Sequence, residues 1–305
     1  MQLLTIASAG LGLKIVPELG GKILSMVDRS SGIEWMWSPP DRRGLFRNAV
    51  ADPFAQSTLT GADECFPTVA ACRWNGRDLP DHGELWAMPW QVLAHSADAV
   101  ELSVRAPISP FVFQRRIALT GSSAHFTYTV RNLGSAEEAF IWSFHPLLNF
   151  EQGDFLEIPA RTARIDSQIN TPFGARGAPL ALPEPVAGGR LDRFDFCPLG
   201  PAAVKFFTDS LAEGRVALVR PSLQRRLVFD FDLAKLDTVG VWINTGGWAG
   251  YRHVAIEPTN GAPDPLDIAV KWNRYQLLGP GASRSWEMTL KIEPIIPQSE
   301  RNPRS

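Results

Sequence analysis

The sequence has 305 residues, 45% hydrophobic and 20% charged, with 30 basic against 32 acidic side chains and a formal net charge of −2. That much apolar material serves a packed interior and excludes global disorder, and the near-balanced charge leaves no positive field for nucleic acid or an anionic membrane. β-Sandwiches can reach this length around one continuous core, so a single domain over residues 1–296 is expected.

The chain opens on Met1-Gln2-Leu3-Leu4-Thr5, without the basic start and apolar core of a secretory signal, and no apolar run is long enough to span a bilayer. The expectation is a cytoplasmic protein. Trp35-Met36-Trp37 reads as an aromatic plug for one end of the fold. Ten tryptophans and 17 phenylalanines against three tyrosines supply rings both for a core and for stacking on the C–H faces of sugars.

The first segment with chemistry is Gly61-Ala62-Asp63-Glu64-Cys65-Phe66-Pro67-Thr68, continued after Asn75-Gly76 by Leu79-Pro80-Asp81-His82-Gly83-Glu84-Leu85-Trp86. Asp63 and Glu64 are neighbours, so alternation on a strand sends only one of them toward a given face. Cys65, Cys72 and Cys197 form no CxxC pair, which suggests reduced, buried thiols rather than a disulfide framework or a zinc site. Strand-like alternation follows at residues 99–106 and 125–131, with a turn at Asn132-Leu133-Gly134-Ser135.

In Ile141-Trp142-Ser143-Phe144-His145-Pro146-Leu147 an apolar run carries His145 directly before proline, which restricts its backbone to extended geometry. Residues 171–189 are rich in Pro and Gly and read as a long surface excursion that sustains neither ladder nor helix, a lid or a plain insertion. Strand signals return at 203–207 and at Val241-Trp242-Ile243-Asn244, where a spacing of two puts Trp242 and Asn244 on one face. In Val254-Ala255-Ile256-Glu257-Pro258-Thr259-Asn260-Gly261 a glutamate again ends a strand-like run before proline. Gly279-Pro280-Gly281 is a turn, and the polar tail 297–305 is expected to fray.

No segment holds a sustained 3.6-residue apolar period, and no glycine-rich nucleotide loop sits between a strand and a helix. The pattern is that of an all-β protein, a large antiparallel β-sandwich.

Taken in order, the LPDHG run, the His-Pro after an aromatic strand and the Glu-Pro near the end resemble the aldose 1-epimerase (galactose mutarotase) superfamily. Cys65-Phe66-Pro67, Leu79 to Gly83 and Val241 to Asn244 look closest to its hexose-6-phosphate 1-epimerase branch, and Gly279 to Trp286 resembles the superfamily's last hairpin. That branch carries arginine where this chain has Trp86, which replaces a phosphate-binding cation by an apolar ring.

The resemblance implies a small-molecule carbohydrate substrate, unphosphorylated or unusually decorated, no metal or organic cofactor, and a monomer or homodimer. Glu257 would take the proton of the anomeric hydroxyl and His145 would protonate the ring oxygen, with the roles exchanged on closure. Such a pair needs burial that raises the carboxylate and an imidazole able to gain and lose a proton.

His82 would bind ring or neighbouring hydroxyls, or simply cap a turn. Glu64 and, more weakly, Asp63 are candidate sugar contacts. Trp242, Asn244 and Trp86 would line a wall or floor, and ordinary core packing is the competing account of each. His145 could instead be a core histidine on a backbone carbonyl, and Glu257 the partner of an arginine such as Arg252. His95, His125 and His253 receive no role. The rival function is a carbohydrate-binding module without turnover, which needs no titrating pair.

Overall fold

The computed structural model describes residues 1–41, 44–183, 185–186, 189–194 and 200–295, so Cys197 and the tail 297–305 lie outside the described residues. Among them the architecture is two large antiparallel sheets, one of 11 strands and one of eight, with three two-stranded ribbons. Their facing surfaces enclose one apolar cluster that runs from Leu4 to Ile292. None of the described helices is long and apolar enough to cross a membrane.

The strands form where alternation predicts them: Ala99–Arg105, Ser123–Asn132 and Ala203–Thr208 cover the three segments read from period two. In the eight-stranded sheet, Phe111, Phe113, Ile117, Ala124, Phe126, Tyr128, Val130, Trp286, Met288 and Leu290 point inward, every second residue of their strands. Long registers hold this sheet together, with ten paired positions between Phe111–Thr120 and Ser123–Asn132.

The stretch 171–189 departs from expectation. Pro179–Ala181 adds an edge strand to Thr162–Ile169, with Ala181, Leu180 and Pro179 opposite Thr162, Ala163 and Arg164. Proline is tolerated there because one side of an edge strand has no ladder bond to donate.

In the 11-stranded sheet the central order is Lys22–Asp28, Ala62–Cys65, Ser143–Leu148, Arg252–Thr259, Thr238–Thr245, Ala203–Thr208 and Thr162–Ile169. Its inner face carries Phe144, Leu148, Val204, Phe206, Val239, Val241, Ile243, Val254 and Ile256 into the main core. The outer face of the same strands carries the other parity: Asp63, Ser143, His145, Leu147, Lys205, Trp242, Asn244, His253, Ala255 and Glu257. A second cluster of Trp37, Phe54, Leu59, Trp86, Leu147 and Ala255 covers part of this outer face, with Trp242, Trp248 and Tyr251 packed against it. Polar side chains are buried there because loops close over the face, and that is where the candidate site lies.

Candidate active site

Two proline-terminated motifs meet across one ladder. Ser143 pairs with Thr259 and Leu147 with Ala255, which brings His145 level with Glu257 on adjacent antiparallel strands. Pairing lapses between those positions, where Pro146 and Pro258 have no N–H to donate. His145 Nε2 stands 3.7 Å from Glu257 Oε1, side by side on one face rather than across a hollow.

The other carboxylate oxygen of Glu257 is occupied: Oε2 accepts from Lys205 Nζ at 2.8 Å and from Ser143 Oγ at 3.2 Å. Oε1 has no hydrogen-bond partner among the described residues, and neither has His145 Nδ1. Glu257 is 0% exposed and His145 6%. The competing account pairs Glu257 with an arginine such as Arg252; the ion-pair partner found is Lys205.

Lys205 also reaches Asp264 Oδ1 at 2.9 Å, so one ammonium bridges two buried carboxylates. Burial alone would pull Lys205 down, but Asp264 and Glu257 outweigh it and hold the ammonium above its ordinary value. Burial, with Asp166 and Glu257 nearby, pushes the Asp264 carboxyl up against the pull of Lys205. Burial pushes the His145 imidazole well below its ordinary value, and the neighbouring His82 and Lys205 add to the effect.

A cavity of about 220 Å³ lies over this group, lined by Phe54, Ala55, Leu59, Asp81, His82, His145, Leu147, Ser167, Lys205, Trp242, Trp248, His253 and Asp264. Glu257 is not among the lining residues; it borders the cavity through His145 and Lys205. His82 stacks on Phe54 with ring centroids 3.6 Å apart and meets His145 edge-on at 5.0 Å. Its Nδ1 lies 3.1 Å from Asp81 Oδ2. Burial raises the Asp81 carboxyl, but the hydrogen bond and charge of His82 prevail and keep it below its usual value.

The LPDHG run is held by backbone geometry. His82 and Gly83 are both left-handed, at φ 60° and 72°. The His82 N–H donates to Val69 O at 2.6 Å and the Glu84 N–H to Phe66 O at 2.7 Å. A Cβ on Gly83 would stand 2.1 Å from Phe66 O. Gly83→Ala is therefore expected to cost more than the ~1–3 kcal/mol of strained backbone alone, and to displace His82 from the cavity wall. Urea unfolding and the NMR shifts of the His82 ring check both, and wild-type behaviour in either would contradict this account of the turn.

Four of the sequence-derived contacts sit elsewhere. Glu64 faces the opposite side of the sheet: it is 0% exposed between the two sheets, accepting from Arg115 at 2.9 Å, Tyr128 at 3.2 Å and Trp142 Nε1 at 2.7 Å. Asp63 has the outer parity but its carboxylate is taken by the buried Lys22. Asn244 spends its side chain on the 246–248 turn, donating to Trp248 O at 3.0 Å and accepting from the N–H groups of Gly246 and Trp248.

Trp86 lies behind the lining, edge-on to Phe54 at 5.2 Å, with its Nε1 donating to Asp81 O at 3.1 Å. It supports the Asp81-His82 turn and is not among the residues lining the cavity. Trp242 does line the cavity, and its Nε1 donates to His253 Nε2 at 3.0 Å.

Lys205, Asp264, Phe54, Trp248 and His253 were not singled out from sequence, although the even spacing of His253 from Glu257 was a usable signal. Trp37 packs behind the cavity lining, with its ring 4.5 Å from that of His253.

No family model matches the sequence, and no curated protein matches it. Among solved structures, the Slr1438 protein of Synechocystis sp. PCC 6803 superposes with a TM-score of 0.72 at 18% identity, over 96% of each chain. A galactose mutarotase related enzyme from Lactobacillus acidophilus gives 0.66 at 16% identity, over 96% of this chain and 97% of that one. A galactose mutarotase-like protein from Lactobacillus casei ATCC 334 gives 0.65 at 19%, over 96% and 100%. Likeness over nearly the whole length at such low identity establishes the architecture: the chain has the galactose mutarotase-like sandwich fold.

Proposed function

We propose that this protein is an aldose 1-epimerase-type isomerase that opens and recloses the ring of an unphosphorylated aldose by acid–base catalysis. The observation that carries the reading is the side-by-side placement of Glu257 Oε1 and His145 Nε2, 3.7 Å apart, with Oε2 committed to Lys205 and Ser143. The anomeric hydroxyl and the ring oxygen share one carbon, so the groups that serve them must be neighbours. Glu257 takes the hydroxyl proton as the bond from the anomeric carbon to the ring oxygen breaks, and His145 protonates that oxygen. Rotation of the aldehyde and reclosure with the roles reversed give the other anomer.

Lys205 holds the carboxylate in one orientation, and the substrate reaches Oε1 by entering between His145 and Lys205. The charges around the cavity support an unphosphorylated sugar. Asp81 and Asp264 are in the lining, and Lys205, the one cation among the described lining residues, is already bridged between two carboxylates. A phosphate would meet no uncommitted positive charge there.

The full burial of Glu257 behind the lining, paired with Lys205, is the one feature that favours a binding module, in which the glutamate is only the counter-charge of a lysine. Anomer exchange of free and phosphorylated hexoses, followed by NMR with wild type and His145→Asn, separates the two. Binding with no acceleration by wild type removes the enzyme.

The pH profile is a second check. The acid must be protonated, and burial lowers His145 below its ordinary 6.5. The competent fraction therefore falls as pH rises through that lowered value, so kcat/KM should decline from the acid side toward neutrality. A rate rising through pH 6.5 and upward contradicts His145 as the acid.

A further inference from the structure

His253 is the buried polar group that the acid–base chemistry does not use. It lies on Arg252–Thr259 four residues before Glu257, with Ala255 between them on the same face. At about 3.3 Å per residue the two Cα atoms are about 13 Å apart, so His253 and the acid–base pair cannot serve the same substrate oxygen. It is 1% exposed, lines the cavity and is enclosed by the rings of Trp37 at 4.5 Å and Trp248 at 6.3 Å.

Its tautomer follows from its neighbour. An indole nitrogen only donates, so the 3.0 Å bond from Trp242 Nε1 makes His253 Nε2 an acceptor. The ring proton must then be on Nδ1, which has no hydrogen-bond partner among the described residues. Burial holds the imidazole down to about 3, so it stays neutral and keeps this single donor over the working pH range. A fully buried N–H without an acceptor needs an explanation, and here it belongs to a residue of the cavity wall.

We propose that His253, with Trp242 and Trp248 in the lining and Trp37 packed behind the imidazole, forms a subsite for the non-anomeric end of the sugar, in which His253 Nδ1–H donates to an uncharged hydroxyl or ether oxygen. The two lining indoles, Trp242 and Trp248, offer apolar surface to the sugar C–H groups beside that oxygen. Trp242 acts as a positioning residue by fixing the tautomer. The subsite rests on the sugar-binding part of the functional reading, not on turnover.

The test is equilibrium binding of D-galactose and D-glucose, read by tryptophan fluorescence, with His253→Asn, His253→Gln, His253→Ala and Trp242→Phe. The Asn amide reaches the Nδ1 position and should bind within a few-fold of wild type. Gln, which places its amide toward the Nε2 position, and Ala should bind about tenfold more weakly, the worth of one neutral hydrogen bond. Trp242→Phe frees Nε2 and should fall between. In steady-state exchange these losses should appear in KM with kcat retained.

Equal affinity of the Asn, Gln and Ala proteins, or failure of wild type to bind either hexose, overturns the subsite. Binding that depends on His253 without any acceleration of exchange leaves the subsite standing and removes the epimerase. Exchange by wild type with KM unchanged in His253→Ala does the reverse.

Discussion

Replacing Glu257 by Gln is expected to slow wild-type anomer exchange by about 10²- to 10⁴-fold, the usual contribution of a positioned acid or base. The substitution keeps the shape of the side chain and lets the amide oxygen still accept from Lys205 Nζ, which now lies 2.8 Å from Oε2. What is lost is the basic oxygen beside His145. Sugar affinity should therefore stay within a few-fold of wild type while kcat collapses, a split that distinguishes a lost base from a damaged pocket.

His145→Asn should show a loss of similar size. The double variant should be little worse than either single one, because an acid and a base acting on one proton transfer fail together. Exchange by Glu257→Gln within a few-fold of wild type would end the catalytic role of this carboxylate, and Glu257 would then read as the counter-charge of Lys205.

The second large effect concerns stability. Glu64 and Arg115 form an ion pair in the main core, 0% and 1% exposed, with Tyr128 and Trp142 donating to Glu64 and the carbonyl of Gly21 accepting from Arg115. Burial pushes the Glu64 carboxyl up, and Arg115 opposes this. Removing one partner strands the other charge where it has no water, so Glu64→Ala and Arg115→Ala should each destabilise by about 3–5 kcal/mol in urea unfolding.

Glu64→Leu with Arg115→Met should recover most of that loss, since a well-packed apolar pair needs no desolvated charges. Anomer exchange per folded molecule should be unchanged in the double variant, because Glu64 faces the core and not the cavity. A loss of exchange with intact stability would return Glu64 to the sugar site.

Glu64 and Asp63 show where reading a chain segment by segment stops. Alternation correctly says that neighbours on a strand part company, but not which of the two faces the cavity. That is decided by the pairing of Asp63 opposite His145 and Glu64 opposite Phe144, across strands far apart in the chain. Asn244 and Trp86 likewise carry the right chemistry for a sugar, yet the 246–248 turn and the ring of Phe54 claim them first. Lys205 and Asp264 are ordinary residues in their own segments and become a cluster only when three distant strands and a loop meet.

The sequence by itself determined the strand-rich class, the extended backbone of His145 and Glu257 before their prolines, and a turn at His82-Gly83. These are local matters of side-chain period, proline sterics and glycine freedom. Only the tertiary structure decided that His145 stands beside Glu257, that Lys205 binds the second carboxylate oxygen, and that His253, in the cavity wall, has a ring nitrogen without a partner among the described residues. The physical reason is register: which outer-face side chains meet depends on pairings between strands separated by more than a hundred residues, as Ser143 is from Thr259, and no local periodicity encodes them.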